Sequence, residues 1–188
     1  VDRTCIVDGG STDGTIEWLT SPECKLINVE VKVSPQVRLR YGNHTPQERN
    51  QYLEMAGTDG WILCTDSDEF LEEEAVKSLR KIATEAEELG ANVIGFRAHD
   101  VWTYEDGRVY DNLSNYWHHS MFFKASPGMT YAGHTHAGLI RPGVEYKRID
   151  TPYEYKHVKT ERRLWQNSTY LWWTTAAPAQ NIMSKTWD

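Results

Sequence analysis

Between Cys64 and Phe70 the chain reads CTDSDEF, two aspartates and a glutamate set directly behind the apolar run Trp61-Ile62-Leu63. Carboxylates this close repel one another unless a cation or hydrogen-bond donors offset the charge. A second acidic cluster, DGGSTDG from Asp8 to Gly14, follows another apolar run, Arg3–Val7. Hard cations such as Mg2+ or Mn2+ prefer carboxylate oxygens and leave room for substrate phosphates. Ligands of open α/β sheets bind at the carboxyl ends of the strands, where both clusters are expected to lie. If the two strands neighbour each other, both clusters line one crevice. Together they point to a nucleotide and a divalent metal, with Asp8 taking a base or ribose group and Asp68 the metal. The competing reading is structural: Asp13 or Ser11 caps a helix, and Asp66 to Glu69 favour a helix N-terminus electrostatically.

The elements that must position these groups follow from periodicity and punctuation. RTCIV predicts a buried strand, TIEWL a short helix and KLINVEV (25–31) a second strand. TPQERNQYLEMA carries a helix start, with Thr45 as N-cap, Pro46 in the first turn and Glu48 completing a capping box. GWILCTD gives a third strand. Val76, Leu79, Ile82, Ala83, Ala86 and Leu89 then fall at helical spacing, with Gly90 placed as the C-terminal cap. NVIGFRA gives a fourth strand, ending near Asp100. Alternating strand and helix predicts an α/β fold with a mainly parallel central sheet and flanking helices. Beyond residue 100 the pattern is less regular. VWTYEDGRVYD predicts a hairpin on Asp106-Gly107, SMFFKA and MTYAG short strands, and ERRLWQNSTYLWW a helix. We read one domain over 1–188, with a first strand of the fold expected to be missing ahead of Val1.

Composition narrows the function classes. The net charge of −7 argues against a nucleic-acid surface, which needs a basic face. No apolar stretch approaches the roughly 18 residues of a membrane span. Three cysteines without CxxC spacing read as small buried hydrophobes rather than a disulfide or zinc site, and imply a reducing, cytoplasmic setting. Eight tryptophans and ten tyrosines either fill an aromatic core or offer stacking platforms for sugar rings.

IVDGGSTDGTIEWL followed by QERNQYLEMAGTDGWILCTDSDEFL resembles the family 2 glycosyltransferases of GT-A fold, in motif order and spacing, over roughly residues 3 to 100. The family pattern is an hhhDDGSTDGT loop, an ARNxG helix and a strand ending in Asp-x-Asp. The resemblance implies a nucleotide-sugar half (1–100) and an acceptor-side half (101–188). Asp8 would contact the base, usually uracil, although the family's second aspartate is Gly9 here. Gly10, Ser11 and Asp13 would shape that loop, Arg49 would face the diphosphate, and Asp66 with Ser67 would approach the ribose or a metal-bound water. Asp68 would ligate Mn2+ or Mg2+, and Glu69 matches a DxDEF branch that decorates lipopolysaccharide and similar glycans. In that branch a late vHE segment supplies the acceptor-side base and a later histidine completes the metal site. GHTHAGL and YEYKHVK stand in those places, making His136 a base candidate, with Ala137 where the glutamate belongs, and His157 the third metal ligand. His134, two residues from His136 on an extended segment, would face the same way and could hydrogen-bond acceptor hydroxyls. Asp100 is a base candidate by its position at a strand end. Of His118 and His119, on alternating faces, at most one should face the site.

The expected reaction is inverting transfer of a sugar from a nucleotide donor, UDP-linked, to a hydroxyl of a glycan, lipid-linked or other acceptor. The alternative is a non-catalytic sugar- or nucleotide-binding module on the same fold. A phosphatase or nucleotidyltransferase would need a phosphate loop with a nearby lysine, or a DxDxT-like run, and the chain has neither.

Overall fold

The computed structural model describes residues 2–34, 45–113, 116–132 and 138–160. The chain falls into two compact units, one of residues 1–62 and 124–145, the other of 63–123 and 146–188. Among the described residues, no helix is long and apolar enough to cross a membrane.

In the first unit, β1 (Thr4–Asp8) pairs in parallel with β2 (Val29–Val33), from Thr4 opposite Val29 to Asp8 opposite Val33. The second strand thus starts four residues later than KLINVEV suggests. Leu26 and Ile27 are about half exposed, so the apolar letters that drew the strand forward are not in its ladder. Helix α1 (Thr15–Leu19) lies between these strands in sequence, and α2 (Thr45–Ala56) follows with the predicted bounds. The side chain of Thr45, the proposed capping residue, lies outside the described residues. A hairpin of β8 (Thr130–Ala132) and β9 (Gly138–Ile140) completes the unit.

The second unit is built on a mixed sheet, not a mainly parallel one. The order of its strands is β7 (Trp117–Lys124), β5 (Val93–Thr103), β10 (Arg148–Thr160), β4 (Glu69–Leu71), with β6 (Val109–Asp111) also on β5; β3 (Trp61–Leu63) has its first two residues in the first unit. Among the pairings described, β5–β10 is parallel, whereas β4 joins β10 and β6 and β7 join β5 antiparallel. The hairpin predicted at Asp106-Gly107 supplies one antiparallel pairing, turning the chain straight back on β5 as β6. Gly107 sits at φ 85°, and Tyr104 N–H donates to the Arg108 carbonyl across it.

Helix α3 (Glu73–Glu88) packs on β5 and β10 through Ala75, Leu79, Ile82, Ala83 and Ala86. Val76 and Leu89, expected on that stripe, are exposed; Ala75 faces inward instead. The predicted stop holds. Gly90 at φ 69° donates to Glu87, and Ala91 donates to Ala86, the two bonds of a Schellman cap. The core centres on β5, where Val93 to Phe96 are buried without alternation because this strand is covered on both faces. Phe123, Met121 and Tyr155 close it. All three cysteines are free, and Cys64 is buried.

Candidate functional site

Asp8 ends β1, and its carboxylate is drawn into its own loop. Its Oδ1 accepts from the backbone N–H groups of Gly10 at 2.8 Å and Ser11 at 2.6 Å, and its Oδ2 accepts from the Ser11 hydroxyl at 2.8 Å. Gly10 makes the turn possible at φ 92°. These donors, led by the Ser11 N–H, hold the Asp8 carboxyl below the usual range. Asp13 accepts from the N–H and hydroxyl of Thr15, but the N-cap of α1 is Gly14 at φ 90° with no side-chain capping bond, so neither Asp13 nor Ser11 caps the helix as expected. The Asp13 carboxyl too is lowered, first by the Thr15 hydroxyl. Nothing steric demands glycine at position 9, where a Cβ would make only an ordinary 3.8 Å contact with Glu48 Oε1.

On α2, the Arg49 guanidinium lies 5.4 Å from the Tyr131 ring centre and donates to the Tyr52 hydroxyl at 3.1 Å. Its neighbour Asn50 works as a clamp. Asn50 Oδ1 accepts from the Tyr131 N–H at 2.6 Å, and Asn50 Nδ2 donates to the Tyr131 carbonyl at 3.1 Å. The Arg-Asn pair therefore anchors the β8–β9 hairpin, a role its motif did not announce. His134 and His136 fall in the segment between those strands and lie outside the described residues, as does the helix expected over ERRLWQNSTYLWW.

In the second unit the CTDSDEF segment makes a turn, not a helix start. The Asp66 N–H donates to Glu69 Oε2 at 2.7 Å, and the Glu69 N–H returns to the Asp66 carbonyl at 3.1 Å. Strand β4 then separates these acids from α3, whose first turn carries Glu73 and Glu74. The helix-terminus reading of Asp66 to Glu69 is thereby replaced. Asp66 and Ser67 are exposed, whereas Asp68 and Glu69 are half-buried.

Strand β10 brings distant residues onto this turn. His157 stands opposite Glu69 on β4 and opposite Asp100 on β5, and the Val158 N–H donates to the Asp68 carbonyl at 2.8 Å. The imidazole is held between two carboxylates. Its Nε2 is 3.2 Å from Asp68 Oδ2, and its Nδ1 is 3.4 Å from Asp100 Oδ1. Asp100 Oδ2 accepts from Lys159 Nζ at 2.7 Å. Burial, helped by the Lys159 ammonium, keeps the His157 pKa below the ordinary imidazole value, although Asp100, Glu69 and Asp66 pull it upward. A neutral imidazole has one N–H and can satisfy one of its two carboxylates. The other contact needs a second proton or a cation between the partners. Of the paired histidines, His119 turns to this side, its Nε2 3.8 Å from Glu69 Oε1 and its ring beside Tyr155, while His118 is exposed. Lys159 escaped the sequence reading; its signal was the i+2 spacing from His157 on one strand face.

These residues fit a divalent cation of the Mg2+ or Mn2+ kind in one respect. Ligand atoms at adjacent octahedral positions lie about 3 Å apart, given metal–oxygen distances near 2.1 Å, and Asp68 Oδ2 and His157 Nε2 have that separation. Among the described residues no cluster of three or more His, Cys, Asp or Glu side chains could hold a metal. The protein would supply two ligands and leave the rest to phosphate and water, the usual economy of such ions.

The family model for glycosyl transferase family 2 matches residues 1–146. The chain belongs to that family. Membership supports a glycosyltransferase that works with a nucleotide-sugar donor and an acceptor, and implies a GT-A type of α/β fold. The matched segment contains Asp8, Arg49, Asp66, Asp68 and Asp100, whereas His157 lies beyond it. A search of curated proteins finds no significant match. Asp8, at the end of β1, and Asp68, in the turn before β4, belong to different units of this family 2 chain.

Proposed function

We propose that the chain is a divalent-metal-dependent, inverting glycosyltransferase that takes its sugar from a UDP-linked donor and delivers it to a hydroxyl of a glycan, lipid-linked or other acceptor. The observation that carries this reading is the 3.2 Å approach of Asp68 Oδ2 to His157 Nε2, made by two elements 89 residues apart. Asp8, with Gly10, Ser11 and Asp13 fixing its loop, receives the base and ribose of the donor, and Asp66 and Ser67 the ribose side of the diphosphate. Asp8 Oδ2 takes one hydrogen bond from Ser11 and keeps acceptor capacity for a ligand N–H or hydroxyl. Arg49 is the cationic group assigned to the diphosphate. Asp68 and His157 would hold Mn2+ or Mg2+, which when bound supplies positive charge against the charge growing on the departing diphosphate.

An acceptor hydroxyl must lose its proton as it attacks the anomeric carbon from the face opposite the diphosphate. Of the two base candidates, Asp100 has one oxygen on Lys159 and the other turned to His157, which leaves His136 as the proposed base. The test is release of UDP from a panel of UDP-sugars with Mn2+. Asp68→Ala is expected to abolish metal-dependent turnover, and His136→Ala to lower it about 10²–10⁴-fold, the usual contribution of a general base. Unchanged turnover by Asp68→Ala would overturn the reading, and UDP binding without turnover in the wild type would favour a non-catalytic binding module.

A further inference from the structure

We propose that Asp100 is a positioning residue for His157: backed by Lys159, it fixes the imidazole as the Nδ1–H tautomer and presents the Nε2 lone pair beside the Asp68 carboxylate to a divalent cation. The inference rests on the reading that Asp68 and His157 are the metal ligands, and it concerns how the chain prepares that pair before any ion arrives.

Three observations converge. First, the parallel β5–β10 register sets His157 opposite Asp100, so their juxtaposition is fixed by two long strands and not by a loop. Second, Asp100 Oδ1 is a buried oxygen without a hydrogen bond of good geometry among the described residues, and it faces His157 Nδ1 at 3.4 Å. A buried carboxylate oxygen left so is costly, and a small ring rotation that brings Nδ1–H onto it removes the cost. Third, Lys159 lies on the same face of β10 and donates to the other oxygen at 2.7 Å. Lys159 is itself held, its ammonium 4.9 Å from the Trp102 ring centre. With Oδ2 taken by the ammonium, Oδ1 is the oxygen that remains for the histidine. Donation from Nδ1 to that oxygen replaces any Nε2–H bond across the present 3.2 Å contact with Asp68 Oδ2 and leaves Nε2 unprotonated. Ligating histidines behave in this way generally: the second nitrogen's partner sets the tautomer and orients the ring.

The arrangement makes a substitution pattern that simple loss of packing does not. In Asp100→Asn the Lys159 ammonium claims the amide oxygen, so the amide NH2 faces Nδ1. The ring is then driven to Nε2–H, the tautomer that cannot ligate. Replacing Lys159 by methionine in the same chain frees the amide oxygen to accept from Nδ1–H and restores the ligating form.

The experiment uses the full chain, metal-free and then titrated with Mn2+ by calorimetry, with 15N NMR of the His157 ring in the metal-free state. Wild type should show Nδ1–H. Asp100→Asn should show Nε2–H and bind Mn2+ about 10–100-fold more weakly, and Asp100→Asn with Lys159→Met should recover both signals. A wild-type ring that is Nε2–H overturns the proposal without any variant, as does Asp100→Asn binding Mn2+ like wild type with its tautomer unchanged. Asp68→Ala separates the two levels. If it binds Mn2+ as wild type does, the metal-site reading itself fails; if it loses Mn2+ while the Asp100 variants keep it, only the role of Asp100 fails.

Discussion

Three donors reach the Asp8 carboxylate from within five residues of chain, two backbone N–H groups and one hydroxyl. Their effect on stability has a definite sign. The folded carboxyl is held below its ordinary value, so the unfolded chain binds the proton more readily. The stabilisation is therefore complete above the unfolded pKa, about 3.9, and disappears as pH falls through the lower folded value. Asp8→Asn keeps an acceptor oxygen and removes the charge. Its unfolding midpoint should lie below that of wild type at pH 7, and the gap should close as pH falls through the lowered folded value. A gap of constant size across that range would show that the charge is not what holds the loop. At this scale the sequence was informative where a residue's own neighbours decide its role: Asp8, Gly10, Ser11 and Asp13 are explained by bonds to residues within three positions. It was uninformative where the partner is remote, as for Lys159, 59 residues from Asp100.

Among elements, the α2–β8 junction shows how a motif can be read correctly in place and incompletely in purpose. The helix bounds followed from the Thr-Pro start and needed no tertiary information. The use of Asn50 came from 81 residues away, where it satisfies both backbone groups of Tyr131. Tyr131 is buried, so removing the amide leaves its N–H and carbonyl without those partners. Asn50→Ala should cost about 1–3 kcal/mol in urea or thermal unfolding. Asn50→Asp, which keeps the acceptor for the N–H but sets a carboxylate against the carbonyl, should not restore wild-type stability. Full stability in Asn50→Asp would mean that only the bond to the N–H matters. Strand β10 marks the opposite limit. RIDTPYEYKHVKT is largely polar and contains Pro152, which lacks a ladder N–H and argues against an interior strand. The structure places that proline in the register break between Asp150 and Glu154, so the strand continues past it into the stretch that carries His157. Val76 and Leu89 erred in the other direction, since helical spacing marks a stripe but not its edges.

For the whole molecule the controlling quantity is charge. The chain carries a net −7, and a nucleoside diphosphate adds further negative charge. At the turn that holds Asp66, Asp68 and Glu69, a bare diphosphate would meet carboxylates, and unit charges at 4 Å repel by about 4 kcal/mol at an effective dielectric of 20. Lys159 does not relieve this, because it is paired with Asp100. If Asp68 and His157 recruit a divalent cation, the local balance inverts and the diphosphate becomes the favoured ligand. Calorimetric titration with UDP should then show binding in Mn2+ that weakens at least about tenfold on chelation, a loss of about 1.4 kcal/mol. Uridine, which has the base and ribose but no phosphate, should bind equally with and without the metal if its contacts are those proposed for the Asp8 loop. Asp68→Ala in Mn2+ should match the chelated wild type for UDP and leave uridine unchanged. UDP binding that ignores the metal would remove the reason for this acidic turn, and a parallel loss of uridine binding would mean that the substitution damaged the fold and not the cation site.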